Sequence, residues 1–274
     1  MSEYGSLHID DDRLVLRFER RFSQPIDRVW RAVTDPDEMK AWFPSNVEGE
    51  RTVGAELVFS YDVVDQTDPE LPDPENLPLF GGEVLRFDAP HLFEFTWGGE
   101  ILRLELSEDG EGTRLVFSQI LSHRATAGRN GSGWHACLAA LAVHLGEEVP
   151  EVDGFALYDD YVVRIGIPLG TTNDDGSMTW ELATHVETEQ VDQVISGIED
   201  WVGTAVEDEL RWEVDPVAHG SVVRITHDRI GRDPHLAATW HARMIQLDLY
   251  LAARIFHAVS SDPWVGPYAE LFGV

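Results

Sequence analysis

Apolar and polar residues alternate with a period of two in several short runs through the first half of the chain. Leu92–Trp97 reads this way most clearly, and Arg13–Arg21, Glu56–Val64, Gly82–Phe87, Ile101–Leu106 and Thr113–Leu121 are likewise strand-like stretches. The period changes to a helical one in two places. Ile26, Val29, Trp30 and Val33 share a side of a short helix after Ser23-Gln24-Pro25, with Ser23 placed as a cap and Pro25 suited to the first turn. Further on, Leu138, Leu141 and Leu145 fall on the same helical face as Trp134. Strands in series followed by a long helix predict an α+β unit.

The pattern then recurs. Trp240-His241-Ala242 repeats Trp134-His135-Ala136, and Met244, Leu247 and Leu251 repeat the leucine spacing behind it. Val191, Val194, Ile195 and Ile198 follow Thr188 at the intervals of the early helix, with Asp192 in the place of Asp27. Both short helices come after a strand-like stretch, the later one being Met178–Val186. These correspondences predict a tandem duplication. The copies differ in length: the span Trp42 to Trp134 shrinks by about 53 residues in Trp201 to Trp240, enough for three or four strands. The later copy offers only Glu209–Val214 and Ser221–Ile230 before its last helix. Each last helix has an aromatic tail, Phe155, Tyr158 and Tyr161 in one case and Trp264, Tyr268 and Phe272 in the other, which predicts a short helix packing back. Glycine, proline and asparagine cluster in Gly166–Gly176 as a loop. The expected organisation is a complete domain over 1–166 and a shortened one over 167–274.

Charge narrows the function. Asp and Glu number 50 against 20 Lys and Arg, a net charge of −30 over 274 residues. A nucleic-acid binder needs cations for phosphates, and a peripheral membrane protein needs them for anionic lipid, so neither partner is expected. With 43% hydrophobic residues the chain can bury a core. Cys137 is the only cysteine, which excludes an intramolecular disulfide and a thiolate metal cluster. The polar, acidic start of the chain lacks a signal-peptide pattern, and no apolar run reaches membrane-spanning length. A cytoplasmic protein is the expectation.

Catalytic signatures are sparse. The eleven histidines include no zinc-protease helix pair. His135 and His241 stand beside the repeated tryptophans, off the main apolar face, and predict a shared packing or hydrogen-bonding role. Cys137 reads as an inert thiol. Gly128–Gly133 reads as a flexible hinge into the long helix, since no lysine follows to make it a phosphate loop. Glu56, Glu83, Glu94 and Arg103 become acid–base candidates only if they point inward. The acidic, proline-rich stretch 62–80 predicts a long solvated loop, with a lid as the alternative.

Several landmarks together carry a resemblance. They are Arg17-Phe18-Glu19-Arg20-Arg21-Phe22, Pro25-Ile26-Asp27-Arg28-Val29-Trp30, Trp42-Phe43-Pro44 and Phe93-Glu94-Phe95-Thr96-Trp97. Gly112-Thr113-Arg114-Leu115-Val116-Phe117 and Gly133-Trp134-His135-Ala136-Cys137-Leu138 complete them. The chain resembles the START-related SRPBCC superfamily, in the branch named for the activator of the heat-shock protein 90 ATPase. The likeness runs over about residues 10–165 and is weak over 177–274. It implies a helix-grip fold, a curved antiparallel sheet around a long C-terminal helix, followed by a degenerate second α+β unit of the same type.

Many members of that superfamily hold a small hydrophobic ligand between sheet and helix. The residues placed to line such a cavity are Phe43, Tyr61, Phe80, Phe95, Trp97, Gln119, His123, Trp134, Leu138 and Leu141. Non-catalytic binding of a small hydrophobic molecule is the leading expectation, without metal or cofactor and with the second unit structural. A chaperone-activator-like protein-interaction module is the alternative. A cavity enzyme of the cyclase or dehydratase type is a further one.

Overall fold

The computed structural model describes residues 4–60, 80–151, 153–184, 186–196, 210–217, 220–253 and 257–274. The chain divides into two compact units, residues 1–122 with 130–154 and residues 123–129 with 155–274.

The first unit is built on an antiparallel sheet of eight strands. They are β1 (Ser6–Asp10), β2 (Arg13–Phe22), β3 (Asn46–Glu48), β4 (Glu56–Ser60), β5 (Phe80–Asp88), β6 (Leu92–Trp97), β7 (Glu100–Asp109) and β8 (Gly112–Leu121), in the order β1-β2-β8-β7-β6-β5-β4-β3. Asp11 and Asp12 close the β1–β2 hairpin at φ 46° and 62°, the left-handed pair that a two-residue turn needs and that aspartate tolerates. Register then decides which side chains share the inner face. Phe93, Phe95 and Trp97 stand opposite Leu104, Leu102 and Glu100, and Leu102 and Leu104 stand opposite Gln119 and Phe117. The long helix α3 (Ala127–His144) buries Trp134, Leu138 and Leu141. This curved sheet and long helix form the helix-grip fold.

Two short helices follow β2. In α1 (Ile26–Thr34), Val29, Ala32 and Val33 are buried. Its N-cap is Pro25, with no side-chain cap, and not Ser23; Ser23 instead donates both its N–H and its hydroxyl to Glu147 Oε1, at 2.7 Å each. Asp35 caps α2 (Pro36–Met39), accepting from the N–H groups of Asp37 and Glu38.

The expected glycine hinge is helical, because α3 begins at Ala127 rather than Trp134. Close approach explains Gly128, where a Cβ would come within 3.1 Å of Gly166 Cα and 3.2 Å of a Val162 methyl. The stretch 62–79 lies outside the described residues, and so does Trp201.

The second unit carries a four-stranded antiparallel sheet. Its strands are β9 (Thr171–Thr172), β10 (Met178–Thr184), β11 (Leu210–Val217) and β12 (Gly220–His227), in the order β11-β12-β10-β9. Its helices are α4 (Gly154–Ile165), α5 (Thr188–Ser196), α6 (Pro234–Ala253) and α7 (Asp262–Phe272). Read from β9, the order β9-β10-β12-β11 reproduces β1-β2-β8-β7. Among the described residues, nothing in this unit corresponds to β3, β4, β5 and β6. Trp180, Trp240, Trp264 and Tyr268 fill its interior. Tyr268 organises them: its hydroxyl lies 2.7 Å from Trp180 Nε1, 2.8 Å from Gly170 N and 3.0 Å from His241 Nδ1.

Candidate functional site

The inner face of the first unit converges on a group of aromatic rings. Phe43 enters from the segment after α2, with its ring centroid 6.1 Å from Phe95, 5.9 Å from Trp97 and 5.5 Å from Trp134. Trp97 meets Trp134 edge-on at 5.4 Å, and Phe117 lies 4.6 Å from Trp134. Tilted and edge-on contacts at these separations are the favourable aromatic geometries. They come from a loop, two strands and one helix, so only the folded unit assembles them.

A polar relay borders this group. Trp134 Nε1 donates to Gln119 Oε1 at 2.7 Å, and Gln119 Nε2 donates to Glu100 Oε2 at 2.5 Å. The N–H and hydroxyl of Ser122 both donate to Glu100 Oε1, at 2.9 Å each. Glu100 is only 4% exposed, and no ion pair to it exists among the described residues. Its register partner Trp97 shares its face, and the buried Trp97 Nε1 has no hydrogen-bond partner among the described residues. A buried, hydrogen-bonded carboxylate thus stands beside an unpaired indole donor at one end of an aromatic cluster. The indole N–H calls for a partner, because an unpaired polar atom out of water is costly.

The structure brings together Phe43, Phe95, Trp97, Gln119 and Trp134 from the expected cavity lining, and Leu138 and Leu141 are buried on the same helix as Trp134. Tyr61 and the side chain of Phe80 lie outside the described residues. His123 does not join the group. Its Nδ1 accepts from the N–H of Ala125, and its Nε2 lies 2.8 Å from Glu181 Oε1 on β10. Glu56 and Glu83 are exposed. Glu94 pairs with Arg103 on the opposite face from Phe93 and Phe95. Sequence reasoning missed Glu100, although it stands in phase with Leu102, Leu104 and Leu106, the inward positions of β7.

The remaining candidates resolve simply. His135 and His241 are both buried, not off the apolar face. His135 meets the Tyr4 ring at 5.4 Å, whereas His241 lies within the second unit's interior against Trp264 at 4.7 Å. Burial pushes the Cys137 thiol up to about 12, which leaves little thiolate for chemistry. No group of three metal-ligating side chains occurs among the described residues. No described helix is long and apolar enough to cross a membrane.

The second unit presents two further features. Arg129 Nε donates to the buried Asp248 at 3.2 Å, and burial raises the Asp248 carboxyl while Arg129 opposes that rise. An open groove of about 550 Å³ runs along the sheet beside Thr179, Arg211, Trp212, Glu213, Arg224 and Thr226.

Solved structures of similar proteins come from several bacteria. The protein encoded by gene BPP1335 of Bordetella parapertussis is 31% identical, aligning over 60% of this chain and 94% of its own, with a TM-score of 0.45. CalU16 of Micromonospora echinospora is 20% identical over 59% of this chain and 92% of its own, with a TM-score of 0.43. A conserved protein of unknown function from Enterococcus faecalis, EF2215, is 20% identical over 58% and 89%, with a TM-score of 0.44. No curated protein matches the sequence. Residues 23–146, within the first unit's span, match the model of the family described as Activator of Hsp90 ATPase homolog 1-like protein.

Proposed function

We propose that the first unit binds, without catalysis, a small and mainly apolar molecule carrying one hydrogen-bond donor, a hydroxyl or an ammonium group. The observation that carries this reading is the inward-facing Glu100, buried at 4% exposure beside the rings of Trp97 and Trp134. Ligand sites on protein interiors are mainly apolar with a few placed polar groups. Here the aromatic group supplies the apolar wall. Glu100 supplies an acceptor whose neighbours Gln119 and Ser122 are already donors to it, so a further donor from the ligand fits and a ligand carboxylate or phosphate is repelled. The aromatic faces favour a cation over an anion as well. The interior of the second unit is occupied by its own tryptophans and Tyr268, and its role is structural.

The test is tryptophan-fluorescence titration of the full chain with a medium-chain alkyl alcohol, the matching alkylamine and the matching fatty acid. Saturable binding of alcohol or amine, with the acid at least tenfold weaker, supports the reading. Glu100→Gln then narrows that gap. No saturable binding by any of the three overturns it.

The family's description supports a second reading, an activator of a chaperone ATPase. Stimulation of that ATPase by the full chain, unaffected by Glu100→Gln, supports it; no stimulation at saturating protein removes it.

A further inference from the structure

Among the described residues β11 is the longer of the two edge strands of the second unit's sheet. In the first unit the strand at the matching place in the order, β7, is flanked by β8 on one side and β6 on the other. Among the described residues β11 has β12 as its only neighbour. Natural sheets protect a long open edge, because a row of unpaired N–H and C=O groups invites another strand. This edge is eight residues long, and Trp212 on it is 45% exposed.

Register defines its two faces. Leu210, Trp212 and Val214 stand opposite His227, Ile225 and Val223, on the buried side of the sheet. Arg211, Glu213 and Asp215 stand opposite Thr226, Arg224 and Val222, on the other side. Antiparallel partners must match face to face, so a strand pairing with its own copy about a twofold axis has few registers to choose from. Centring on Glu213 sets Arg211 opposite Asp215 but also places two glutamates directly opposite at the axis. Centring on Trp212 sets Arg211, which also bonds Asp228 of its own chain at 2.6 and 3.0 Å, opposite Glu213 of the second copy, twice by symmetry. It also sets Leu210 opposite Val214 of the second copy on the apolar face, with the two Trp212 rings meeting at the axis.

We propose that this chain forms a twofold dimer through antiparallel pairing of β11 with β11 of a second copy, in the register centred on Trp212. The second copy takes the place that β6 takes in the first unit, and the two four-stranded sheets continue as one. The wall of the groove beside Arg211, Trp212 and Glu213 becomes part of the interface. The net charge of −30 on each copy opposes association from a distance. Beyond about 8 Å that repulsion is largely screened at physiological salt, whereas each Arg211–Glu213 pair acts at cross-strand contact.

Sedimentation velocity of the full chain at 0.15 M salt, from about 1 to 100 µM, reads the association. A concentration-dependent dimer is expected; a monomer throughout overturns the proposal. Glu213→Arg sets arginine opposite arginine and is expected to weaken the dimer by about tenfold. The double variant Arg211→Glu with Glu213→Arg restores opposite charges in this register and is expected to restore the dimer. Circular dichroism of each variant separates a lost interface from a lost fold. A wild-type dimer that folded Glu213→Arg leaves unchanged, or that the double variant fails to restore, overturns the pairing.

Discussion

The indole of Trp134 donates to Gln119 Oε1 at 2.7 Å, and that amide donates in turn to the buried Glu100, which links the long helix's tryptophan to the carboxylate by hydrogen bonds. Gln119 is 1% exposed, so water cannot replace it. Gln119→Leu removes an acceptor from Trp134 and a donor from Glu100 together. An orphaned buried polar group costs about 1–3 kcal/mol, so the variant is expected to lose roughly 2–4 kcal/mol. Trp134→Phe orphans only the Gln119 oxygen and keeps most ring contacts, with an expected loss smaller by about half. Urea unfolding read by circular dichroism separates the two. Equal stability of wild type and Gln119→Leu shows that the relay does not hold the fold.

His241 gives the second unit an acid-sensitive lock. The Tyr268 hydroxyl accepts from two groups that only donate, Trp180 Nε1 and the N–H of Gly170. Its own proton therefore goes to His241 Nδ1, and the neutral ring carries its proton on Nε2. Burial lowers His241 from 6.5 to about 3. The unfolded chain takes up this proton as pH falls through 6.5, while the folded unit does so only near 3. Stability is therefore complete above 6.5 and declines through that window, by up to about 1.4 kcal/mol per pH unit. Glu38 and Glu147 lie below their usual 4.5. Burial opposes the shift of Glu38, but bonds from His144, Arg28 and Arg31 outweigh it; the hydroxyl and N–H of Ser23 lower Glu147. Their stabilisation is lost only below about 4.5, so decline between pH 6.5 and 5 marks His241. Stability curves at pH 7.5, 6.0 and 5.0 are expected to show that decline, and His241→Asn is expected to flatten it.

The parts of the fold that sequence made legible are those where burial imposes a period. Phe93, Phe95 and Trp97 alternate with polar neighbours because they face the helix, and the matched spacing behind Trp134 and Trp240 follows two buried helix faces. The misses have equally physical causes. In β1 nearly every residue is exposed, so no alternation marks the strand. The two-residue β9 is shorter than any period. Gly128–Gly133 reads as a hinge because glycine weakens helices, yet packing at Gly128 outweighs propensity there. Of the site, the aromatic rings were visible and Glu100 was not. A carboxylate at the strand's first position looks like a turn residue until register sets it opposite Trp97.

Cys137 is expected to be chemically silent in the folded chain. Burial raises its thiol from 9.0 to about 12, which cuts the thiolate at pH 8 by about a thousandfold, since each unit is a factor of ten. Labelling with a thiol reagent at pH 8 is expected to be slower than in urea by two orders of magnitude or more. Equal rates in native and denaturing buffer contradict an inert, half-buried thiol.

Two glycines with opposite surroundings test the packing of the first unit. At Gly82 on β5 a Cβ would lie 2.2 Å from the carbonyl oxygen of Thr96 and 2.7 Å from the Phe59 ring. Backbone of the neighbouring strand must move to admit it, and overpacking of this kind costs about 1–3 kcal/mol. Gly133 on α3 has nothing within 4 Å of a Cβ, and its exposed helical position pays only the entropy of glycine. Gly82→Ala is expected to destabilise the protein, whereas Gly133→Ala is expected to stabilise it by about 0.5–1 kcal/mol. Thermal unfolding of both variants beside the wild type reads the two signs at once. A stabilising Gly82→Ala would contradict the close approach of β5 to the Thr96 carbonyl and to the Phe59 ring, which stacks on Phe95 at 6.1 Å.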